Sequence, residues 1–248
     1  EEKNVRHPLA IGDEVTIVFP LEQVSDGLTA QQGPLEIIYE DEALLVVNKP
    51  AFMSSIPSRE HPNGSLANLI CGYFETKQLF STVHIVTRLD RDTSGLMIIA
   101  KHRHIHHLRS EQQQAGLVHR EYEAVVEGLV TADKQSIIAP IGRKDTSIIE
   151  REVREDGQFA HTDVTVLARK AHTTRVRLKL HTGRTHQIRV HMSFIGHPLV
   201  GDDLYGGSCA QLNRQALHCR YVAFTHPLTK LPVQFDCELP PDIAELLK

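Results

Sequence analysis

The chain has 248 residues and a formal net charge of −4, from 27 Lys and Arg against 31 Asp and Glu. Hydrophobic residues make up 41% and charged residues 23%, ordinary values for a globular protein. No apolar run approaches the roughly 18 residues of a membrane-spanning helix, so we expect a soluble protein without a membrane partner. The four cysteines form no C-x-x-C pair, which is typical of a cytoplasmic protein with reduced thiols. The slightly acidic total disfavours a nucleic-acid partner.

The distribution of charge along the chain changes that interpretation. Residues 1–50 hold 3 basic and 10 acidic residues, and residues 51–150 hold 11 of each. Residues 151–230 hold 12 basic and 6 acidic residues, and residues 231–248 carry a net charge of −3. The total therefore conceals a basic later half, which indicates either an anionic partner or uneven solvation of surface strands.

The beginning of the chain has a pattern of its own. A turn at Gly12-Asp13 precedes a strand-like stretch over Glu14–Phe19, and residues 21–34 are rich in turn-forming residues with little periodicity. We expect residues 1–20 to be the remnant of an N-terminal domain, residues 21–34 a linker, and residues 35–248 the main domain.

From Leu35 onward, apolar periodicity predicts alternating groups of strands and helices. The predicted strands are Leu35–Tyr39, Leu44–Asn48, Leu96–Ala100, Val118–Glu127, His161–Arg169, Thr174–Leu180, Leu217–Phe224 and Val233–Cys237. The predicted helices are one capped by Ser65 with Leu66, Leu69, Ile70 and Tyr73 inward, a polar one over about 101–114, and His186–Ile195, capped by Thr185 and stopped by Gly196. Because strands often follow strands, this order favours an α+β fold with a mixed, mostly antiparallel sheet flanked by helices and loops.

The segment Arg88-Leu89-Asp90-Arg91-Asp92-Thr93-Ser94-Gly95 concentrates charged and hydroxyl side chains just before a predicted buried strand. A solvated turn would have such a composition. The spacing of Asp90 and Asp92 is similar to that of phosphatases with an aspartyl nucleophile, but no buried apolar strand precedes it. Asp92-Thr93-Ser94-Gly95 has one residue too many for an aspartic-protease loop, and no second copy exists.

The segment His181-Thr182-Gly183-Arg184-Thr185-His186-Gln187-Ile188-Arg189-Val190-His191 is dense in hydrogen-bond donors. On the predicted helix His186, Arg189 and Ser193 share a face, and a sharp turn at Gly183 would let Arg184 and Arg189 converge on an anion. The alternative is a basic amphipathic helix with a solvated face.

A third cluster, His102-x-His104-x-His106-His107, has an i, i+4 histidine pair that suits zinc. No further ligand lies nearby in sequence. We therefore interpret this cluster as an exposed helix face and predict no metal site.

Taken together, these segments resemble the RluA/RluD-type pseudouridine synthase family over about residues 35–240. The motifs occur in the family's order, and the first twenty residues resemble the end of the small RNA-binding domain that often precedes its catalytic domain. The matching residues are Lys49-Pro50, Arg88-Leu89-Asp90-x-x-Thr93-Ser94-Gly95, Arg120-Glu121-Tyr122-x-Ala124-x-Val126-x-Gly128, Thr182 to His191, Gly196-His197-Pro198-Leu199-x-Gly201-Asp202-x-x-Tyr205-Gly206, Leu217-His218 and Phe224-x-His226-Pro227.

The resemblance implies a catalytic domain that isomerises uridine in structured RNA, with large-subunit ribosomal RNA as the expected substrate and transfer RNA as the alternative. The base would be flipped out, detached from the ribose, rotated and rejoined through carbon 5. By resemblance Asp90 is the essential carboxylate, Arg189 pairs with it, and Tyr122 stacks on the uracil and can shuttle a proton. Arg88 would fill the gap left in the RNA, and Leu217 would wall the pocket. The other expected substrate-binding residues are Thr93, Arg184, His186 and Gln187. No metal or organic cofactor is implied, and we expect a monomer.

Two departures from the family pattern bear on this expectation. Thr87 stands where the family usually has His, and Met53–Ser58 differs from commoner members, which bears on the choice of RNA site. Whether Asp90 attacks the sugar, attacks the ring or removes a ribose proton stays open.

Two other functions also stay open: an RNA-binding or ribosome-assembly module with dispensable catalysis, and aspartyl phosphotransfer, which would require magnesium. Basic residues of 151–230, including Arg184, are expected to hold RNA phosphates, so affinity should fall with salt.

Overall fold

The computed structural model describes Arg6, residues 8–16, Glu22 and residues 27–248. The strands are β1 Glu36–Glu40, β2 Leu44–Lys49, β3 His84–Ile85, β4 Ser94–Ala100, β5 His119–Glu127, β6 Lys134–Ile138, β7 Ile141–Arg143, β8 Arg151–Val153, β9 His161–Arg169, β10 Thr173–Leu180, β11 Leu217–Thr225 and β12 Pro232–Asp236. The helices are α1 Leu66–Thr76, α2 Arg103–Gln114, α3 Gln187–Phe194 and α4 Pro241–Glu245, with a short 3-10 turn at Asp203–Tyr205. None of the helices in this part of the chain has the length and apolarity that crossing a bilayer requires.

Ten strands form one sheet, whose main path runs β1-β2-β4-β11-β5-β10-β9-β6. Strand β12 pairs with β11 and β3 with β4, while β7 and β8 form a separate hairpin. Strands β4 and β11 are parallel, and the other strand pairs within the described residues are antiparallel. The predicted α+β fold with a mixed, mostly antiparallel sheet is therefore confirmed.

The centre of the sheet forms the core. All seven residues of β4 are buried, as are five of the six residues of β2, and both strands are almost continuously apolar because neither face meets water. The apolar stripe of α1, with Leu66, Ile70 and Phe74, packs into the same core. This core lies directly behind the turn that carries Asp90.

Ser65 caps α1 as predicted, because it accepts the Asn68 N–H while the Asn68 side chain accepts the Ser65 N–H. The same Asn68 holds part of the predicted linker: its Nδ2 donates to Thr29 O at 2.8 Å, and its O accepts Gln31 N–H at 3.0 Å. Residues 28–34 thus form neither helix nor strand, yet they pack against α1. The division into remnant, linker and main domain stays a prediction.

The predicted turn at Gly12-Asp13 is present, because Asp13 N donates to Ala10 O at 3.1 Å and Gly12 has a φ of +102°. The predicted strand over Glu14–Phe19 is wrong for Glu14–Thr16, which lie exposed without a strand partner in the described structure. Residues 17–19 lie outside the described residues.

The structure corrects the start of α3. The helix begins at Gln187, its N-cap is His186 in the left-handed region with φ 56° and ψ 20°, and no side chain caps it. Thr185 is therefore not the cap, because the chain reverses at His186 instead. The predicted stop is confirmed: α3 ends at Phe194, and Gly196 follows with a φ of +82°.

Candidate active site

The nine site residues predicted from the sequence line one cleft of about 80 Å³. They come from the turn before β4, from β5, from the start of β11, from the loop that leads into α3 and from the first turn of α3. The nine are Arg88, Asp90, Thr93, Tyr122, Arg184, His186, Gln187, Arg189 and Leu217, and the cleft also includes Leu89, Arg120, Leu180, Gly183 and Ile188. Segments distant in sequence thus converge around Asp90.

Gly95 places the Asp90 turn against β11. Its φ is +118°, and a Cβ at this position would overlap the carbonyl oxygen of Cys219, its partner in the parallel pair of β4 and β11. Within the turn, Thr93 N donates to Asp90 O at 3.1 Å, and Thr93 Oγ1 accepts from Gln215 Nε2 at 3.0 Å. The Thr93 hydroxyl therefore braces the turn from inside the cleft wall.

Lys49 fastens the turn from its other side. Its buried ammonium donates to Pro50 O and Met53 O at 2.8 Å each and to Arg91 O at 3.0 Å. Burial lowers the pKa of Lys49 to about 7, although the carboxylates of Asp92 and Asp90 oppose that shift. Lys49 therefore ties the loop after β2 to the segment that carries Asp90.

Arg189 lies between two carboxylates. Its Nε and Nη2 donate to Asp202 at 2.7 Å each, and its Nη1 lies 3.4 Å from Asp90 Oδ2. Burial would lower the pKa of Arg189, but hydrogen bonds and charge from Asp202 raise it, so the guanidinium stays charged. The Asp202 side chain is fully buried. The expected pairing of Arg189 with Asp90 therefore exists, but the shorter and bidentate pair is with Asp202.

His186 faces Asp90 from the loop before α3. Its Nε2 lies 3.9 Å from Asp90 Oδ2, and its Nδ1 lies 2.8 Å from the Tyr205 hydroxyl. The Tyr205 ring lies beneath the guanidinium of Arg189, 4.9 Å from its Cζ. Burial lowers the pKa of His186, which favours a neutral imidazole.

Tyr122 and Leu217 form the apolar side of the cleft on neighbouring strands, β5 and β11. Tyr122 is 4% exposed, and burial raises the pKa of its hydroxyl. Burial also raises the pKa of the adjacent Cys219 thiol, to about 12. Tyr122 is therefore a neutral phenol that keeps its proton while its ring lines the cleft.

The amide of Gln187 is fully occupied within the protein. Its Oε1 accepts from Thr182 Oγ1 at 2.8 Å and from Arg184 N at 2.9 Å. Its Nε2 donates to His161 O at 3.0 Å and to Thr162 Oγ1 at 2.9 Å. Gln187 thus shapes the loop that presents Arg184.

Gly183 has a different role from the predicted sharp turn. Its φ is not in the left-handed region, but a Cβ there would lie 2.9 Å from Arg120 Nη2. Arg120 is 8% exposed, its Nε has no hydrogen-bond partner, and it lines the cleft. Arg120 is not among the site residues predicted from the sequence, although its i, i+2 spacing from Tyr122 on β5 places both on one face.

One group among the described residues could hold a metal ion, formed by His161, Asp163 and His181, whose ligand atoms lie within 4.8 Å of one another. It lies on β9 and at the end of β10, outside the cleft around Asp90. Both imidazole Nε2 atoms already contact the Asp163 carboxylate, at 3.1 Å and 2.6 Å. In the described part of the chain, His102 and His106 belong to no group of this kind.

The cleft thus combines a carboxylate near arginines with a buried tyrosine on a mixed sheet. Residues 43–194 match the family model described as RNA pseudouridylate synthase. The chain is 52% identical to an uncharacterized RNA pseudouridine synthase of Bacillus subtilis, YjbO, over 100% of this chain and 88% of that protein. It is 40% identical to the ribosomal large subunit pseudouridine synthase D of Pseudomonas aeruginosa, over 93% of this chain and 77% of that protein.

A solved structure of similar fold agrees with these matches. The human RNA pseudouridylate synthase domain containing 1 superposes with a TM-score of 0.69 at 26% identity, covering 83% of each chain. The chain belongs to the RNA pseudouridine synthase family, of the RluA/RluD type, whose members are isomerases that convert uridine in RNA to pseudouridine.

Proposed function

We propose that this chain isomerises a uridine of large-subunit ribosomal RNA and that Asp90 is its catalytic carboxylate. The observation that carries the proposal is the position of Asp90 in the cleft, where its Oδ2 lies 3.4 Å from Arg189 and 3.9 Å from His186. The guanidinium of Arg189 can hold the carboxylate in place, and a carboxylate in this position can act as a nucleophile or as a base. The similarity to ribosomal large subunit pseudouridine synthases supports ribosomal RNA as the substrate.

The walls of the cleft suit a flipped pyrimidine. Tyr122 and Leu217 offer an apolar surface on which a base can stack, and Arg120 offers a buried Nε–H without a partner. We propose that Tyr122 contacts the uracil ring and that the guanidinium of Arg120 contacts the flipped nucleotide. Arg88 lines the same cleft and is proposed to take the place of the extruded base.

Two wider clefts adjoin the one around Asp90 and share Arg120, Gly183 and Arg184 with it. Their volumes are about 640 and 500 Å³. The first contributes Lys179 as a further cation, whereas Arg91, which lines the second, already pairs with Asp92 at 2.8 Å. The proposed path of the RNA strand follows these clefts, with Arg184 at their junction. Phosphate contacts there would make affinity fall with salt.

Ion pairing narrows the expected phosphate-binding surface. Seven of the twelve basic residues in 151–230 pair with carboxylates, and several of these carboxylates lie in other segments of the chain. The seven are Arg154, Arg169, Arg175, Arg177, Arg189, Arg214 and Arg220. The positive excess of 151–230 is therefore largely balanced in the fold, and the cations along the clefts are the better candidates.

The test is release of tritium from large-subunit ribosomal RNA labelled at carbon 5 of uridine. Asp90→Asn should abolish release, because the amide can act neither as a nucleophile nor as a base. Asp92→Asn is the matched control, since the Asp92 carboxylate pairs with its neighbour Arg91 at 2.8 Å and does not line the cleft. Release by Asp90→Asn at the rate of the wild type would contradict the proposal.

The RNA target needs a separate experiment. Pseudouridines should be mapped in ribosomal and transfer RNA from cells with the wild-type gene, with the Asp90→Asn variant and without the gene. A position lost in both mutant strains and located in large-subunit ribosomal RNA supports the proposal, and a lost position in transfer RNA alone contradicts that substrate. Loss only in the deletion strain would favour an RNA-binding module with dispensable catalysis.

A further inference from the structure

The Tyr205 hydroxyl forms hydrogen bonds with two residues from different parts of the chain, Arg151 and His186. It accepts the backbone N–H of Arg151 at 2.9 Å and lies 2.8 Å from Nδ1 of His186. Arg151 is the first residue of β8, in the hairpin of β7 and β8. Tyr205 therefore connects this hairpin to the imidazole that faces Asp90.

The number of available protons determines how these groups pair. A backbone N–H can only donate, so the oxygen of Tyr205 is the acceptor toward Arg151. Its own hydroxyl proton then needs an acceptor, and Nδ1 of His186 is the hydrogen-bonding atom next to it. An imidazole that accepts at Nδ1 and is neutral carries its proton on Nε2. In this arrangement Arg151 N–H donates to the Tyr205 oxygen, the Tyr205 hydroxyl donates to Nδ1 of His186, and the imidazole proton lies on Nε2.

Nε2 of His186 points toward the carboxylate proposed as catalytic. Oδ2 of Asp90 lies 3.9 Å from Nε2 of His186 and 3.4 Å from Nη1 of Arg189. We propose that Tyr205 holds His186 as the tautomer protonated at Nε2, so that this N–H and Arg189 together orient the Asp90 carboxylate. The inference rests on the proposed role of Asp90, and both Tyr205 and His186 are positioning residues in it.

The hairpin contributes to this arrangement. The Arg151 N–H on β8 occupies one lone pair of the Tyr205 oxygen, while the Tyr205 hydroxyl proton is directed to His186.

The tautomer is measured by nitrogen-15 NMR of the histidine rings, with the His186 signals assigned by their loss in His186→Gln. The wild type should show a protonated Nε2 and an unprotonated Nδ1. Tyr205→Phe keeps the ring beneath Arg189 and removes only the hydroxyl, so Nδ1-protonated His186 should appear. In the tritium-release assay on ribosomal RNA, kcat should fall about 100-fold with KM unchanged, as expected for misplacement of a reacting group.

Tyr221→Phe is the matched control, because the Tyr221 hydroxyl donates to Gln234 at 3.1 Å in an exposed hydrogen bond between β11 and β12. It should change neither the His186 spectrum nor kcat. In a His186→Gln background, removal of the Tyr205 hydroxyl should have no further effect on kcat. A wild-type His186 protonated at Nδ1, an unchanged tautomer in Tyr205→Phe, or an unchanged kcat in that variant overturns the inference. If Asp90→Asn kept the wild-type rate of tritium release, the proposed role of Asp90 would fail, but the nitrogen-15 spectra of His186 would be unaffected. The two failures are therefore distinguishable.

Discussion

Asp202 holds the guanidinium of Arg189 in a buried bidentate pair, and Asp202→Asn tests how much this pair contributes to stability. The Asp202 side chain is fully buried, and that of Arg189 is 8% exposed. Removal of one partner from a buried pair costs about 3–5 kcal/mol, because the other charge stays desolvated. Asp90 remains 3.4 Å from the guanidinium, and the new amide oxygen can still accept one bond. We therefore expect the lower end of that range, about 3 kcal/mol.

The assay is urea unfolding followed by circular dichroism, supported by thermal melting. A loss of about 3 kcal/mol should lower Tm by about 6–12 °C in a chain of this size. Asp133→Asn is the control, because it removes the same charge from a pair with Arg169 at 2.7 Å in which Asp133 is 83% exposed. That variant should lose about 1 kcal/mol or less. Equal losses in the two variants would refute the reasoning.

Gly95→Ala should prevent folding or cost several kcal/mol, since a Cβ would overlap the Cys219 carbonyl at a φ of +118°; urea unfolding checks this. Gly116→Ala, at a φ of +70° in open space, should cost only about 1 kcal/mol, and similar values for both would contradict the steric argument. Burial, aided by nearby positive charge, lowers the pKa of His218 from 6.5 to about 4. Between these values the unfolded chain binds a proton that the folded chain excludes, so acidification should destabilise the fold by about 3 kcal/mol. His218→Gln should lack this part of the pH dependence of unfolding, and an identical profile would exclude His218 as its source.

The sequence predicted the long elements well where local signals were complete. The cap at Ser65, the buried run over Leu96–Ala100 and the stop at Gly196 each have a local physical cause, and all three are present. The hairpin of β7 and β8 went unpredicted, because its strands have three residues each and its register depends on pairing rather than on alternation.

The candidate site also combines features that the sequence predicted with features that it did not. The family resemblance implied that Asp90 and Arg189 pair, and their side chains lie 3.4 Å apart, although residues 99 apart in sequence carry no local signal of the distance between them. The bidentate role of Asp202 and the bond of Tyr205 to His186 depend on how the loop after α3 folds back. Patterns of residue types show which groups are present, but tertiary packing decides which of them pair.

The position of β11 between β4 and β5 has a consequence for how the chain matures. Ser94 and His218, which meet across the parallel pair, are 124 residues apart. A chain is synthesised from its N-terminus, so the segments that contain Asp90 and Tyr122 are made before Leu217. Asp90 lies in the turn before β4, and Tyr122 lies on β5; without β11, these two strands have no neighbour in common. The pairing of β11 with β4 and β5 thus joins segments that are distant in sequence, and such long-range pairing is expected to make folding slow.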